Sequence, residues 1–325
     1  MAIRAVFGSA DRRRCARGRL RSVSHSDSGS RNLAPRIEAT ATMVAAARRL
    51  TLMRLDIAMR ETGPITGDAP VAVSITTYGD RIKHVHYTIQ TIANGSSKPQ
   101  RIILWIGHAD THLITMQLRD LVRRGLEIRY TTEYGPHKKY YPYCRSAAAS
   151  PHYELPLVTA DDDQLYPPEW LSALIDSAAS EPLPVIVAHR AHRIKVANGV
   201  VFPYREWSWE GGNESPSYAN FATGVSGVLY PLEFIRRVGA IDSAEFTELA
   251  LLADDPWLHS RSVLFKIPTK QVSRTAAVYA EHHPDAQRRL SDINVAGGNN
   301  DTVVAKIYTR EVISAIQRDV DRQSP

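Results

Sequence analysis

Cysteine is scarce in this chain: 325 residues carry only Cys15 and Cys144. Two distant thiols, one of them in an arginine-rich N-terminal stretch, support neither a disulfide framework nor a thiolate metal site, and a reducing, cytoplasmic setting is expected. Long apolar runs are also missing. No stretch approaches the roughly 18 uncharged apolar residues of a membrane-spanning helix. The N-terminus has no apolar segment ending in a small-residue cleavage site, so secretion is not expected. Neither a P-loop nor a dinucleotide fingerprint occurs, which argues against kinase and dehydrogenase chemistry. No internal repeat is visible.

The net charge of +6 misleads about the folded part. Residues 1–36 hold nine arginines against Asp11 and Asp27, a net of +7, so the remainder carries about −1. A nearly neutral body is not expected to bind nucleic acid. The Arg/Ser/Gly-rich tail reads as disordered. It is compatible with contact to anionic lipid, with a targeting role, or with a true start at Met43 or Met53.

Residues 40–61 read as a helix in which Arg48, Arg49, Arg54 and Arg60 alternate with Leu50, Met53 and Ile57. Such a helix suits packing on the domain or peripheral contact with an anionic membrane surface. The turn residues Gly63, Pro64, Gly67 and Pro70 then lead into the main domain. From Val71 strands and helices alternate. Strands are expected at Val71–Thr76, Arg101–Ile106, Leu126–Thr131, Leu155–Thr159 and Pro184–Ala188, with helices at Arg81–Ala93, near His112–Arg124, and at Pro168–Ala179. This order predicts an α/β domain with a mainly parallel sheet flanked by helices. The boundaries read as a tail over 1–36, a helix and linker over 37–69, the main domain over 70–305 and a C-terminal helix over 306–325.

Ligands of such sheets sit beyond the carboxyl ends of the strands. There the run Leu-Pro-Leu-Val-Thr-Ala ends in Asp161, Asp162 and Asp163. Adjacent carboxylates repel and need a compensating cation, most simply a divalent metal that completes its shell with water and phosphate. Helix capping explains them poorly, because the next helix starts near Pro168. A calcium loop fails as well, since Leu165, Tyr166 and Ser172 fall at its fifth, sixth and twelfth positions. A solvated acidic loop stays open as the alternative. A second pair, Asp254 and Asp255, precedes Pro256, where Asp255 suits a helix cap. Asn299, Asn300 and Asp301 suit another cap.

Several segments, in order over residues 71–305, resemble a bacterial family-2-type glycosyltransferase: SITTYGDRI at 74–82, RIILWIG at 101–107, YGPHKKYYP at 134–142, VTADDDQLYPPEWL at 158–171, VAHRAHRI at 187–194, FATGVSGVLYP at 221–231 and LADDPWL at 252–258. The resemblance implies a GT-A fold of the nucleotide-diphospho-sugar transferase type, and often a role in surface polysaccharide synthesis. It makes the triplet a DxD motif, with Asp163 the principal ligand of Mn2+ or Mg2+ and Asp161 near the metal and the ribose or donor sugar. Thr76, Tyr78, Arg81, Lys138, Lys139, Asp162, Arg190 and Gly224 then line the nucleotide-sugar pocket. Asp255, seconded by Asp254, becomes the base that activates a hydroxyl of a glycan or lipid-linked acceptor, with inversion. Each has a plainer reading: turn chemistry for Thr76, Tyr78 and Arg81, a solvated loop for Lys138 and Lys139, a strand end for Arg190 and His192, a glycine turn for Gly224. The aromatic stretch Tyr204, Trp207, Trp209 and Tyr218 suits stacking on an acceptor sugar or core packing, and His282-His283 a metal contact or a surface loop. A nucleotidyltransferase, or a non-catalytic binding protein of the same fold, are the alternative functions.

Overall fold

The computed structural model describes residues 48–56, 62–150, 155–209, 212–282 and 290–323. The tail, Cys15 and His283 lie outside the described residues, and of the helix expected over 40–61 the described part, 48–56, is helical.

Seven strands form the central sheet: β1 (Ala69–Thr77), β2 (Pro99–Gly107), β3 (Leu126–Thr131), β4 (Leu157–Ala160), β6 (Ile186–Ala188), β9 (Val228–Tyr230) and β10 (Thr269–Gln271), in the order β10-β6-β9-β4-β1-β2-β3. All run parallel except β9, which is antiparallel to both β4 and β6. The sheet is therefore mainly parallel, as the strand–helix alternation predicts. Short ribbons accompany it: β5 (Gln164–Leu165) pairs with β11 (Ala280–Glu281), β7 (Ala191–Arg193) with β8 (Asn220–Ala222), and Val196–Ala197 forms a small hairpin with Val200–Val201.

Successive strand side chains face opposite ways, so near-continuous apolar strands supply two cores at once. Val71, Val73 and Ile75 of β1, with Ile102, Leu104 and Ile106 of β2, pack on one face against α1 (Val85–Ala93), α2 (Met116–Arg123) and α4 (Trp170–Ala179). Ala72, Ile103 and Trp105 point the other way, into a cluster with α3 (Tyr141–Ala149), α5 (Leu232–Gly239) and α7 (Asp254–Phe265). The short α6 (Ala244–Leu249) adds Phe246 to that second cluster; α8 (Asn299–Ile307) and α9 (Arg310–Gln323) close it, with Val312 and Ile316 wholly buried. Among the described residues no helix is long and apolar enough to cross a membrane.

Helix α3 was not evident in the sequence. Its Tyr-Tyr-Pro-Tyr start reads as irregular, yet Pro142 falls in the first turn, where no intrahelical N–H bond is lost. Two expected caps differ as well. Helix α7 starts at Asp254 after Ala253, with no side-chain cap bond, so Asp255 does not cap it. Its carboxylate is used across the fold instead, as described below. Helix α8 follows Gly298, again without a side-chain cap, because Asp301 Oδ1 accepts a tertiary bond from the Tyr204 amide at 2.7 Å.

Helices α3 and α5 approach closely enough to need glycine: a Cβ on Gly239 would stand 2.0 Å from the Cys144 carbonyl oxygen. Gly239→Ala should therefore force the helices apart and destabilise the fold by about 1–3 kcal/mol. Urea unfolding of both proteins measures this; an unchanged midpoint would show that the contact yields freely.

Candidate active site

The carboxyl ends of β1, β4 and β6 and the amino end of β9 meet at one pole. The acid triplet follows β4 here. Asp162 is buried and satisfied from two sides: Thr77 Oγ1 donates to Oδ2 at 2.6 Å, and Arg81 Nε donates to Oδ2 at 2.9 Å while its Nη2 reaches Oδ1. The same Nη2 donates to Asp163 Oδ2 at 2.8 Å, and Gln164 Nε2 to Asp163 Oδ1 at 2.9 Å. Burial opposes the Asp163 charge, but the Arg81 guanidinium outweighs it and holds the carboxyl below its ordinary range. Burial likewise works against the Arg81 cation, and its bonds to Asp162 reverse that, so it titrates above its ordinary value.

Thr77, not singled out in the sequence, is thus the hydroxyl that reaches the acids. The Thr76 hydroxyl donates within the sheet to the Trp105 carbonyl at 3.1 Å. One residue along a strand exchanges faces. Tyr78 is exposed, its ring 5.8 Å from the Arg81 guanidinium carbon.

Lys139 ends the 3₁₀ turn Gly135–Lys139 after β3 and is buried. Its Nζ lies 3.1 Å from Asp161 Oδ1 and 2.9 Å from Asp254 Oδ2, joining the end of β4 to the start of α7. Lys138 diverges to Glu133, at 2.8 Å, because neighbours in a 3₁₀ turn point about a third of a circle apart. Gly224 closes the cluster: its N–H donates to Asp255 Oδ1 at 3.1 Å, and a Cβ there would meet Lys139 Nζ at 2.8 Å. Burial opposes the Lys139 charge, and Asp161, Asp254 and Asp255 together raise its pKa well above the ordinary value. Burial also opposes the Asp254 charge, but Lys139 wins and lowers its pKa. Asp255 goes the other way: burial, then the Asp254 charge, raise it to about 8 against the pull of Lys139. Asp161 is raised by burial against Lys139. The expected need for a divalent ion to compensate the triplet is therefore met within the chain, by Arg81 and Lys139.

No family model and no curated protein matches this chain. Solved structures do. A mannosyltransferase from Pyrobaculum calidifontis, in complex with GDP-Man and Mn2+, is 14% identical over 89% of this chain and 88% of its own, with a TM-score of 0.45. Glucosyl-3-phosphoglycerate synthase from Mycobacterium tuberculosis, solved with Mn2+ and UDP, is 13% identical over 79% and 82%, with a TM-score of 0.41. A 4-diphosphocytidyl-2C-methyl-D-erythritol synthase from Anaerococcus prevotii is 14% identical over 72% and 96%, also at 0.41.

Among the described residues no three His, Cys, Asp or Glu side chains form a ready metal cage. The donors nonetheless fit an ion that takes one or two carboxylates and completes its shell from substrate phosphate. His282 strengthens the fit. Its amide donates to the Asp163 carbonyl at 2.9 Å and its Nε2 to the Asp162 carbonyl at 2.9 Å, which leaves Nδ1 as a buried lone pair without a partner. A ring nitrogen freed by a carbonyl bond at the other nitrogen is the usual state of a ligating histidine. Asp163, Asp161 and His282 are thus the side chains suited to the metal. A cleft of about 340 Å³ lies at the opposite ends of the strands, lined by Pro70, Pro156, Val185 and Pro231. Its walls are apolar apart from Glu181, whereas the charged side chains described above gather at the acid pole.

Lys139→Met should leave the buried Asp254 and its neighbour Asp161 without the cation they share and destabilise the fold by about 3–5 kcal/mol near neutrality. The loss should shrink at pH 5, where protonation relieves the repulsion. Urea unfolding at both pH values checks this; an equal loss at each would deny the electrostatic role.

Proposed function

We propose that the chain is a metal-dependent GT-A glycosyltransferase that moves a sugar, with inversion, from a nucleotide diphosphate to an acceptor hydroxyl. One observation carries this reading. Lys139 ties Asp161, on the donor side of the pole, to Asp254, and the Gly224 amide holds the neighbouring Asp255 at the same pole. Leaving-group acids and a base are thereby held in one cluster.

Asp163 and Asp161, with His282, would hold Mn2+ or Mg2+, which would supply positive charge to neutralise the departing diphosphate. The remaining steps belong to the chain. Tyr78 and Arg81 flank the nucleotide; Arg81 orients Asp162 and Asp163 and keeps Asp163 ionised. Asp255 takes the proton of the acceptor hydroxyl as its oxygen attacks the anomeric carbon from the face opposite the diphosphate. The new C–O bond forms as the bond to the diphosphate oxygen breaks, and the proton stays on Asp255. Asp254, held ionised by Lys139, sets the basicity of its neighbour. The acceptor is a glycan or lipid-linked sugar of a surface polysaccharide.

The test is incubation of the purified protein with Mn2+ and a panel of nucleotide sugars, following release of free sugar and nucleotide. Slow donor hydrolysis supports the reading; binding without turnover, or pyrophosphate release from a nucleoside triphosphate, overturns it. Asp163→Ala should abolish turnover, and Asp255→Asn should lower transfer by about 10²–10⁴-fold. Only the ionised Asp255 can accept a proton, so wild-type transfer should rise with pH and level off above about 8. A flat profile from pH 6 to 9 denies Asp255 the role. The same raised value makes its contribution to stability fade as pH climbs from the ordinary carboxyl range through about 8. Asp255→Asn should therefore gain in melting temperature over wild type as pH rises to about 9, even as activity is lost.

Peripheral membrane contact belongs to the same proposal. Leu50 and Met53 are exposed beside Arg49 and Arg54 on the helix over 48–56. Co-sedimentation with phosphatidylglycerol vesicles, and its weakening in 0.5 M salt, is expected; no binding at low salt removes this part.

A further inference from the structure

The pole carries a second polar group that the donor-side acids and Asp255 do not use. The β7–β8 ribbon sets His192 opposite Phe221 and ends beside the base. The Thr223 amide donates to the Arg190 carbonyl at 3.1 Å, and the next amide, of Gly224, donates to Asp255 Oδ1. Arg190 thus lies one residue across the ribbon from the point that holds the base. Among the described residues its half-buried guanidinium has neither a hydrogen bond nor an ion pair. Arg193, on the same ribbon, is by contrast held by Asn220 Oδ1 at 2.8 Å.

His192 is equally incomplete. It is 1% exposed, and neither ring nitrogen has a partner. A buried polar group in that state is a standing cost that a ligand oxygen would remove. Its ring stacks on Trp209 at 4.7 Å between centroids and 10° between planes, and lies 5.5 Å from Tyr204. Trp209 is itself 36% exposed: one ring face is fixed by His192, its Nε1 donates to the Tyr204 carbonyl at 3.4 Å, and the exposed part is what a sugar would meet. Trp207 and Tyr204, by contrast, are core residues. Burial, then the Arg190 charge, lower His192 to about 3, so it acts as a neutral donor.

We propose that Arg190, His192 and Trp209 form the acceptor subsite, and that the acceptor is a sugar or polyol bearing a phosphate or carboxylate group. The inference deepens the glycosyltransferase reading and rests on it. Lys139 is already committed to Asp161 and Asp254, so the cation on this ribbon that is free to meet an anionic acceptor is Arg190, whose backbone lies one residue from the contact that holds Asp255. Its planar fork matches the paired oxygens of phosphate and carboxylate. A neutral sugar would leave it unpaired.

Isothermal titration of the full chain with glucose 6-phosphate, glucuronic acid and glucose tests this. Wild type should bind at least one of the anionic sugars about tenfold more tightly than glucose, as one charge-assisted contact predicts. Arg190→Gln should erase that preference, Arg190→Lys should keep part of it, and Trp209→Leu should weaken all three sugars alike. Arg81→Gln should keep the preference, which locates it away from the diphosphate pocket. Equal or absent binding of the three by wild type overturns the proposal, as does a preference that survives Arg190→Gln in a folded variant or disappears in Arg81→Gln. Donor hydrolysis by the wild type judges the transferase reading separately, so charge-selective binding without hydrolysis sinks that reading and leaves the subsite.

Discussion

Lys139 is the residue on which the rest of the pole depends. A single buried ammonium faces Asp161, Asp254 and Asp255, three potential charges against one. Desolvation alone would neutralise all four groups. The cluster resolves the imbalance unequally: Asp254, in direct contact with the ammonium, keeps its charge, while Asp255, one residue on and bonded only to the Gly224 amide, holds a proton. Paired acids driven apart in this way are the usual mark of divided roles, one electrostatic and one in proton transfer.

The second constraint is Arg81. A run of three aspartates invites the inference that an ion must hold it together. Here the guanidinium fork and the Thr77 hydroxyl satisfy Asp162 completely, and the fork also reaches Asp163. Charge compensation is therefore no argument for a metal at this site. The donor atoms suit a divalent ion on a different ground, the buried lone pair of His282 and carboxylates that are less buried than Asp162. Binding and compensation are separate questions, and the chain answers the second by itself.

Legibility in the sequence followed the range of the interactions. The strands from Val71 and Arg101 were readable because they are nearly continuous in apolar residues, and that from Leu126 because Leu126, Ile128 and Tyr130 alternate with Glu127 and Arg129; all three are bounded by turn residues. The aspartates at the end of β4 were readable for the opposite reason, as charge placed where apolar burial stops. The helix after Lys139 was not, since tyrosine and proline at its start carry no apolar period. Neither was the antiparallel β9, because strand direction is set by partners distant in sequence. Asp255 and Asp301 both looked like caps; each turned to an amide elsewhere in the fold, since a cap and a tertiary acceptor require the same residue types.

The sequence by itself determined the α/β class, the parallel strands and the pole at which the acids gather, because apolar periodicity and strand ends are local properties of the chain. Only the tertiary structure decided which acid meets which cation. Lys139 stands 22 residues from Asp161 and 115 from Asp254, and nothing in the spacing distinguishes it from Lys138, which turns to Glu133 instead. The choice of Thr77 over Thr76, the pairing of Gly224 with Asp255 and the unpaired state of Arg190 are of the same kind. Each depends on where a side chain points after the sheet has formed, and that direction is a property of the packed fold.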